Sequence, residues 1–590
     1  MLKILNNASL RRYFILNILL ILGFSILFIK FFQIQIIQNS RFIKRANINS
    51  IRAESTHSPR GYVLDKNRSL LIDNKSAYVL TAMPYLISNV DSLFLIISEL
   101  IAVDTVILKK NYRKNFTGKF IPVRLLRGLS IEQLSLLEEH RQELPGIEYK
   151  QIHERNFPSE INGSHFLGYV VDVDQKNIKN IPDAKFYNNG DMIGWNGIEK
   201  SYEQHLRDTK GITYNAVDAF GRVIGQIPEK QNILPKPGKD LILTIDSKLQ
   251  KFVEDLMANR RGCAIVGNPQ TGEILCYVNS PSYPPDLFSG ITPTEEWNDI
   301  LNDPEKPLLN RISNGLYPPG SILKMIVHAY ILENNIRNPN QTVYCSGKYK
   351  FGRRYFGCWK PSGHGNVNLD KALIESCDVY FYKVIQDIPI DEWADLCRKF
   401  GFGSKTGIDL PSESNGIVPD EKYYNNRYGK NKWTAGMKLN VAIGQGEILV
   451  TPLQLLTYIN LIYTNGSTKT PHFVNSDKVK SVELSDISQN TWDIINQLLY
   501  KVVNSNRGTG KLANPKIEGL DVAGKTGTAE NPHGVPHAWF IGYAQQFDVA
   551  HSFVMLLENA GHGGEEAAPL VGEILKFIYT NFDSTNATNI

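Results

Sequence analysis

The chain reads as an α+β protein with an apolar N-terminal helix, a mixed α/β middle, and a C-terminal domain. In that last domain a mainly antiparallel sheet is sandwiched by helices. Three observations predict this. An almost unbroken apolar run covers Tyr13 to Ile29 and resumes past Lys30 through Ile37. A turn-rich boundary, Pro235-Lys236-Pro237-Gly238, closes the middle region. Beyond it, strand-like runs stand at both ends of residues 236–590 with helical patterns between them. One sheet must then be assembled from distant segments.

At 590 residues the chain exceeds one ordinary core. Hydrophobic content of 42% against 21% charged residues is that of a globular protein. A net charge of only +5, without a long basic run, excludes nucleic acid as an implied partner.

Residues 13–37 are long enough to span a bilayer if Lys30 snorkels. No small-x-small cleavage signature follows, since the next residues are Gln38-Asn39-Ser40-Arg41-Phe42. An uncleaved signal anchor behind a tail of residues 1–12 is therefore expected, with a buried core helix as the alternative. Lys3, Arg11 and Arg12 precede the run; Lys30, Arg41, Lys44, Arg45 and Arg52 end or follow it. Charge counting leaves its orientation open.

Residues 38–235 alternate short strand-like runs with polar connections, and Ser130 to His140 has a helical pattern. No nucleophile–base pairing occurs here, so a non-catalytic pedestal or dimerisation domain is expected. In 236–590, strands are expected at Asp240–Asp246, Cys263–Val266 and Glu273–Val278, with a helix over Lys248–Ala258. Helices dominate from Ser321 to about Tyr463. Strands return at Asp521–Thr528 and Ala538–Tyr543, and an amphipathic helix runs from about Ala567 to Asn581.

The chemistry centres on Tyr317-Pro318-Pro319-Gly320-Ser321-Ile322-Leu323-Lys324-Met325. Prolines and glycine break the preceding structure, and Ser321 can then cap or open a helix. Three positions on, Lys324 shares its face. A serine hydroxyl needs a base to become a nucleophile, and a buried lysine can be that base. Chance alone supplies roughly two Ser-x-x-Lys pairs in a chain this long, so the pair needs partners.

One partner is Lys525-Thr526-Gly527-Thr528, a cation and hydroxyls at the end of an apolar strand. Gly527 there permits close approach of a ligand. A rival copy, Lys405-Thr406-Gly407, follows the loop signature Gly401-Phe402-Gly403-Ser404 and reads as structural. Another partner is Ser376-Cys377-Asp378, whose hydroxyl could relay a proton. Finally, Cys345, Cys358, His364 and Cys377 are spaced Cys-x12-Cys-x5-His-x12-Cys. Such a set can close a tetrahedral metal site, or be separate buried thiols, or hold a disulfide. Cys263, Cys276 and Cys397 lie in apolar contexts and read as core.

In the order Ser-x-x-Lys, Ser-x-Asp, Lys-Thr-Gly, the motifs form the trio found in β-lactamases and penicillin-binding proteins. The chain resembles a class B penicillin-binding protein over nearly its whole length. Pro59-Arg60-Gly61, Gly194 to Glu203, Leu243 to Asp246, Pro307 to Arg311, Asn440 to Gly446 and Thr451 to Leu455 share the resemblance. Within class B it is most similar to the elongation enzymes, the penicillin-binding protein 2 family.

The resemblance implies a β-lactamase-like transpeptidase domain needing no catalytic cofactor. Ser321 would be acylated, Lys324 would be its base and Ser376 a proton relay. Lys525, Thr526, Gly527 and Thr528 would receive the substrate carboxylate. The backbone N–H groups of Ser321 and Thr528 would form the oxyanion hole. Asp378 would lie on the substrate-binding side, where the pattern more often has Asn; as an acceptor it needs a donor such as Lys324 or the substrate amide. Family members can carry a metal near the second motif, so a structural zinc on Cys345, Cys358, His364 and Cys377 is expected.

The implied reaction is D,D-transpeptidation of peptidoglycan stem peptides, blocked by β-lactams, during wall elongation. The implied partners are the cytoplasmic membrane, a SEDS-family glycosyltransferase of the RodA type and other elongation-complex proteins. Because murein lies outside the bacterial inner membrane, the resemblance places residues 1–12 in the cytoplasm and the catalytic domain in the periplasm. Rival readings are a division-specific class B transpeptidase, a D,D-carboxypeptidase or β-lactamase, and a β-lactam-sensing receptor that turns nothing over. The large pedestal argues against the hydrolases, and the short tail before the anchor argues against a sensor.

Overall fold

The computed structural model describes the chain apart from residues 1, 41–50, 174–180, 182, 189, 219–222, 228–230, 289–293, 431, 532–533 and 581–590. Arg41, Lys44 and Arg45 of the basic flank lie outside the described residues, as does Asn581. The described chain forms two compact units.

The first unit comprises Met1–Pro59, Ser76–His153 and Asp208–Pro237. Its N-terminal helix, Leu2–Phe32, runs into a π-helical turn at Gln33–Ile37. Arg11–Ile37 contains an eighteen-residue stretch with a mean hydropathy of 2.5 and is long and apolar enough to cross a membrane. In the same unit Ile51–Thr56 pairs antiparallel with Gly211–Val217, which pairs with Val223–Gln226. Strand Val123–Leu129 pairs with Tyr78–Ala82. Leu93, Phe94, Ile97, Leu108 and Leu137 of three helices pack with its Leu125 and Leu129. The helix expected after Ser130 runs Ile131–Glu139, started by a capping box between Ser130 and Gln133.

The second unit comprises Arg60–Lys75, Glu154–Arg207 and Gly238–Ile590. Its centre is a five-stranded sheet in the order Ile274–Ser280, Gly262–Gly267, Val549–Leu557, Gly534–Gln546, Asp521–Asn531. Every pairing in it is antiparallel, and its strands come from both ends of the domain. Alternation along each strand sorts the side chains onto two faces. Ala264, Val266, Phe540, Phe553 and Met555 pack with Val253 and Ile574 of helices Ser247–Leu256 and Ala567–Thr580. Ile265, Ile541, Val554 and Leu556 join the larger cluster with Ile326 and Leu456 of helices Lys324–Glu333 and Pro452–Tyr463.

Two segments from the middle of the sequence belong to this unit; Val63–Leu64 of one pairs with Leu241–Ile242, and a buried ion network joins the two segments to each other. Arg60 Nη2 donates at 2.6 Å to both Glu199 Oε2 and Glu203 Oε2, and Arg155 Nε donates to Glu199 Oε1 at 2.7 Å. Arginine forks satisfy both carboxylates, which burial would otherwise penalise.

Some local expectations differ. Only Leu241–Ile242 of the expected Asp240–Asp246 strand is strand, because Asp246 already caps the helix Ser247–Leu256. Strand Val549–Leu557 was not anticipated. Nor were the short hairpins Val343–Cys345 with Gly365–Val367 and Lys348–Phe351 with Arg354–Gly357 inside the helical lobe.

Candidate active site

Pro318 and Pro319 prevent a regular helix from starting before Gly320. Gly320 is left-handed (φ 59°), and a tight 3-10 turn, Gly320–Leu323, leads into the helix Lys324–Glu333. Ser321 thus lies within this turn rather than capping a helix. Its side is partly open, whereas Lys324 is fully buried.

The turn is wedged against the strand that carries Lys525. A Cβ on Gly320 would stand 2.7 Å from Thr528 O, and one on Gly527 would stand 2.9 Å from Pro319 O. Gly444, also left-handed (φ 70°), backs the turn: its carbonyl accepts from Gly320 N at 2.9 Å, and a Cβ there would strike Gly320 O at 2.1 Å. Gln445 Nε2 donates to Thr528 O at 3.2 Å and Trp539 Nε1 to Pro318 O at 3.2 Å. Gly444, Gln445 and Trp539 were not anticipated as site residues. For Gly444 and Gln445 the signal was available: a Gly-x-Gly break after a helical pattern marks a place where backbones meet.

The second motif sits where helix Leu369–Ile374 ends and helix Asp378–Val384 begins. Between them Ser376 is left-handed (φ 54°), an uncommon state for a residue with a side chain and one that its surroundings must hold. Lys324 Nζ donates to Ser376 O at 2.8 Å, to Ser376 Oγ at 3.2 Å and to Asp378 Oδ1 at 2.6 Å. From the strand, Lys525 Nζ reaches the same Ser376 Oγ at 3.1 Å and Thr526 O at 3.0 Å. Thr526 Oγ1 lies 2.7 Å from Thr509 Oγ1.

Asp378, expected on the substrate side, has both oxygens engaged by the protein. Oδ1 takes Lys324 and Oδ2 accepts from Trp359 N at 2.8 Å. Burial raises its pKa, against the lowering effect of Lys324. Burial, and then the charge of Lys324, push Lys525 well below the ordinary lysine range. The rival Lys405-Thr406-Gly407 lies in a loop, where Thr406 N and Gly407 N donate to Glu413 at 2.7 and 3.2 Å.

A buried serine hydroxyl bridged by two lysines, beside a serine on a wedged turn, is equipped for acyl transfer. Residues 262–576 match the penicillin-binding protein transpeptidase domain, and residues 55–243 match the penicillin-binding protein dimerisation domain. The chain belongs to the class B penicillin-binding proteins. Peptidoglycan D,D-transpeptidase MrdA of Haemophilus influenzae is 30% identical over 95% of this chain and 90% of its own. The PBP2 chain of Helicobacter pylori, solved in complex with MreC, is 30% identical with a TM-score of 0.80. That match covers 90% of this chain and 100% of the other. A chain of a peptidoglycan synthase complex that coordinates polymerization and crosslinking is 25% identical, with a TM-score of 0.70. It covers 97% of this chain and 99% of its own.

In this class B protein the expected metal residues also converge. Cys345, Cys358, His364 and Cys377 are all buried, with ligand atoms within 4.8 Å of one another. His364 Nδ1 faces Cys345 Sγ at 3.6 Å and Cys358 Sγ at 3.5 Å. Sulfur and nitrogen ligands of one tetrahedral zinc ion stand ~3.6 Å apart, so the set fits such an ion. All six cysteines are free thiols. A hydrogen bond from Cys377, ahead of the bond with His364, holds Cys358 well below the ordinary thiol range, and the same bond pushes Cys377 up.

Proposed function

We propose that this chain cross-links peptidoglycan stem peptides by D,D-transpeptidation during cell-wall elongation, through an acyl-enzyme on Ser321. The observation that carries the assignment of roles is the convergence of Lys324 and Lys525 on Ser376 Oγ, at 3.2 and 3.1 Å.

The Lys324–Ser376–Lys525 chain gives one proton a path. Lys525 resists charge while buried, and the terminal carboxylate of a D-Ala-D-Ala stem restores it. Ser376 then donates to Lys525 and accepts from Lys324, leaving Lys324 as free base for the Ser321 hydroxyl. Ser321 Oγ attacks the penultimate D-alanine carbonyl, with the oxyanion held by the N–H groups of Ser321 and Thr528. The C–N bond breaks, and the terminal D-alanine leaves with a proton passed from Lys324 by way of Ser376. An amine of a neighbouring stem then attacks the ester, forming the cross-link and freeing Ser321. Thr526 and Thr528 flank the carboxylate, and Gly527 keeps their strand close to the Ser321 turn. β-Lactams enter the same path and stop at the acyl-enzyme.

Cys345, Cys358, His364 and Cys377 would hold zinc, whose role is to tie the strands around Cys345 and Cys358 to the Ser376 turn through Cys377. The apolar helix is the anchor, with the catalytic domain in the periplasm, where polymerised murein lies. Residues 38–235 serve as pedestal. A SEDS-family glycosyltransferase of the RodA type and other elongation-complex proteins are the partners; the neighbours found with MreC and in a synthase complex support this.

The test is complementation of a rod-shaped bacterium depleted of its elongation transpeptidase. Wild-type chain should restore rods and Ser321→Ala should not. Rounded cells despite normal expression and membrane placement of the wild-type chain would reject the elongation role.

A further inference from the structure

The left-handed Ser376 ends helix Leu369–Ile374, where Cys377 N donates to Ala372 O at 2.8 Å, and one further residue grips the chain on both sides of it. Trp359 follows Cys358 directly and lies in the five-residue link to His364. Its indole Nε1 donates to Glu375 O at 3.0 Å, just before Ser376. Its backbone N donates to Asp378 Oδ2 at 2.8 Å, just after. Its ring meets the His364 ring edge-on, with centroids 5.5 Å apart.

These bonds fix the two ends of the turn, while Lys324 fixes the middle through Ser376 O at 2.8 Å. Glu375 O and Ser376 O belong to successive peptide groups, so both rotations about the Ser376 Cα are pinned. Apart from the indole, that peptide is held only by the long bond from Ser376 N to Leu373 O, 3.4 Å, so losing the indole bond loosens it and lets Ser376 shift. Its Oγ would then leave the point where both lysines reach it. The Trp359 side chain is 49% exposed, so the indole is not core filling. Its polar end is nevertheless spent on a carbonyl at the active site.

We infer that Trp359 is a positioning residue for acylation. Its indole N–H clamps the Ser376 turn and ties that turn to the Cys345–Cys358–His364–Cys377 cluster. This inference rests on the reading of Ser321 as the acylated residue, and it adds a residue that works through Ser376 without touching the reacting atoms.

The test uses the full-length chain in detergent and saturation kinetics with a fluorescent penicillin. These separate the initial non-covalent affinity from the acylation rate constant. Two variants remove the N–H but keep a ring: Trp359→Phe, and Trp359 replaced by β-(3-benzothienyl)alanine, whose sulfur stands in for the N–H. In both, the acylation constant should fall about five- to tenfold, the loss of one hydrogen bond. Initial affinity, zinc content and melting temperature should stay at wild-type values. An acylation constant within about twofold of wild type in both variants overturns the inference, as does a loss confined to initial affinity. A fall matched by lost melting temperature or lost metal also overturns it, because Trp359 would then be a general structural residue. A wild-type adduct on a residue other than Ser321 is a separate result; it rejects the acyl-transfer reading itself and this inference with it.

Discussion

Lys324 and Lys525 share one oxygen, Ser376 Oγ, approached at 3.2 Å from the helical side and 3.1 Å from the sheet side. Two amines this close cannot both carry full charge cheaply in a buried site, and Lys525 is the one pushed towards neutrality. Lys525→Ala should therefore slow penicillin acylation by ~10- to 100-fold, the range for losing a charge-assisted bond. Its melting temperature should fall modestly, since the truncation leaves a cavity and strips Ser376 Oγ and Thr526 O of a donor. Lys405→Ala, in the Glu413-capped loop, should leave acylation unchanged. Equal acylation defects in stopped-flow labelling of the two variants would contradict this division of roles.

Gly444→Ala tests the wedge behind Ser321. A Cβ there would meet Gly320 O at 2.1 Å, and the left-handed backbone adds strain. The three nearest atoms are all Gly320 backbone, so the turn that carries Ser321 must shift. Acylation should fall and melting temperature with it, by an amount equivalent to a few kcal/mol. Gly436→Ala, whose Cβ would meet only side-chain atoms at 3.6 and 3.8 Å, is the control and should be near neutral.

Much of this site was legible in the sequence because its parts have local signatures. Lys525 sits in an apolar strand, and Ser321 follows a Pro-Pro-Gly break that no helix or central strand tolerates. The Cys345, Cys358, His364 and Cys377 set was visible in the sequence, but its residue types left metal, separate thiols and a disulfide open, and only the family resemblance favoured a metal. Asp378 shows the limit: its partners, Lys324 and Trp359 N, lie 54 and 19 positions away, and only the turn at Ser376 brings them together. The strand Val549–Leu557 was missed because the run Phe553–Leu557 is apolar throughout, and periodicity cannot separate a fully buried strand from a helix. The hairpins around Cys345 and Cys358 were hidden by glycines that read equally well as irregular loop.

Two buried histidines set a pH dependence of stability. His165 Nε2 faces Pro307 O at 2.9 Å, and burial lowers its pKa from 6.5 to about 4. His551, buried with Nδ1 3.0 Å from Tyr579 Oη, is likewise lowered to about 4. Both are neutral in the folded state at pH values where the unfolded chain already binds a proton. Between these values stability therefore rises with pH, is complete above 6.5 and is lost as pH falls towards 4. Each histidine contributes on the order of 3 kcal/mol to that loss. Denaturant titrations of the solubilised chain at several pH values should show a shallower acid dependence for His165→Gln than for wild type. A parallel curve would mean that His165 titrates normally.

The metal proposal is tested by elemental analysis of protein purified under reducing conditions. About one zinc per chain is expected, and a strong chelator should remove it with loss of melting temperature. His364→Ala should lose the metal and acylate more slowly, because the Ser376 turn is no longer tethered through Cys377. Metal-free protein that acylates at the wild-type rate would reject the role.

The central claim is that Ser321 carries the acyl group, activated through Lys324 and Ser376. Intact-mass and peptide-mapping spectrometry after brief exposure to benzylpenicillin tests it most directly. One adduct per chain should map to the peptide containing Ser321, vanish in Ser321→Ala, and form slowly but at the same residue in Ser376→Ala. An adduct on any other residue, or full labelling of Ser321→Ala, would contradict the account.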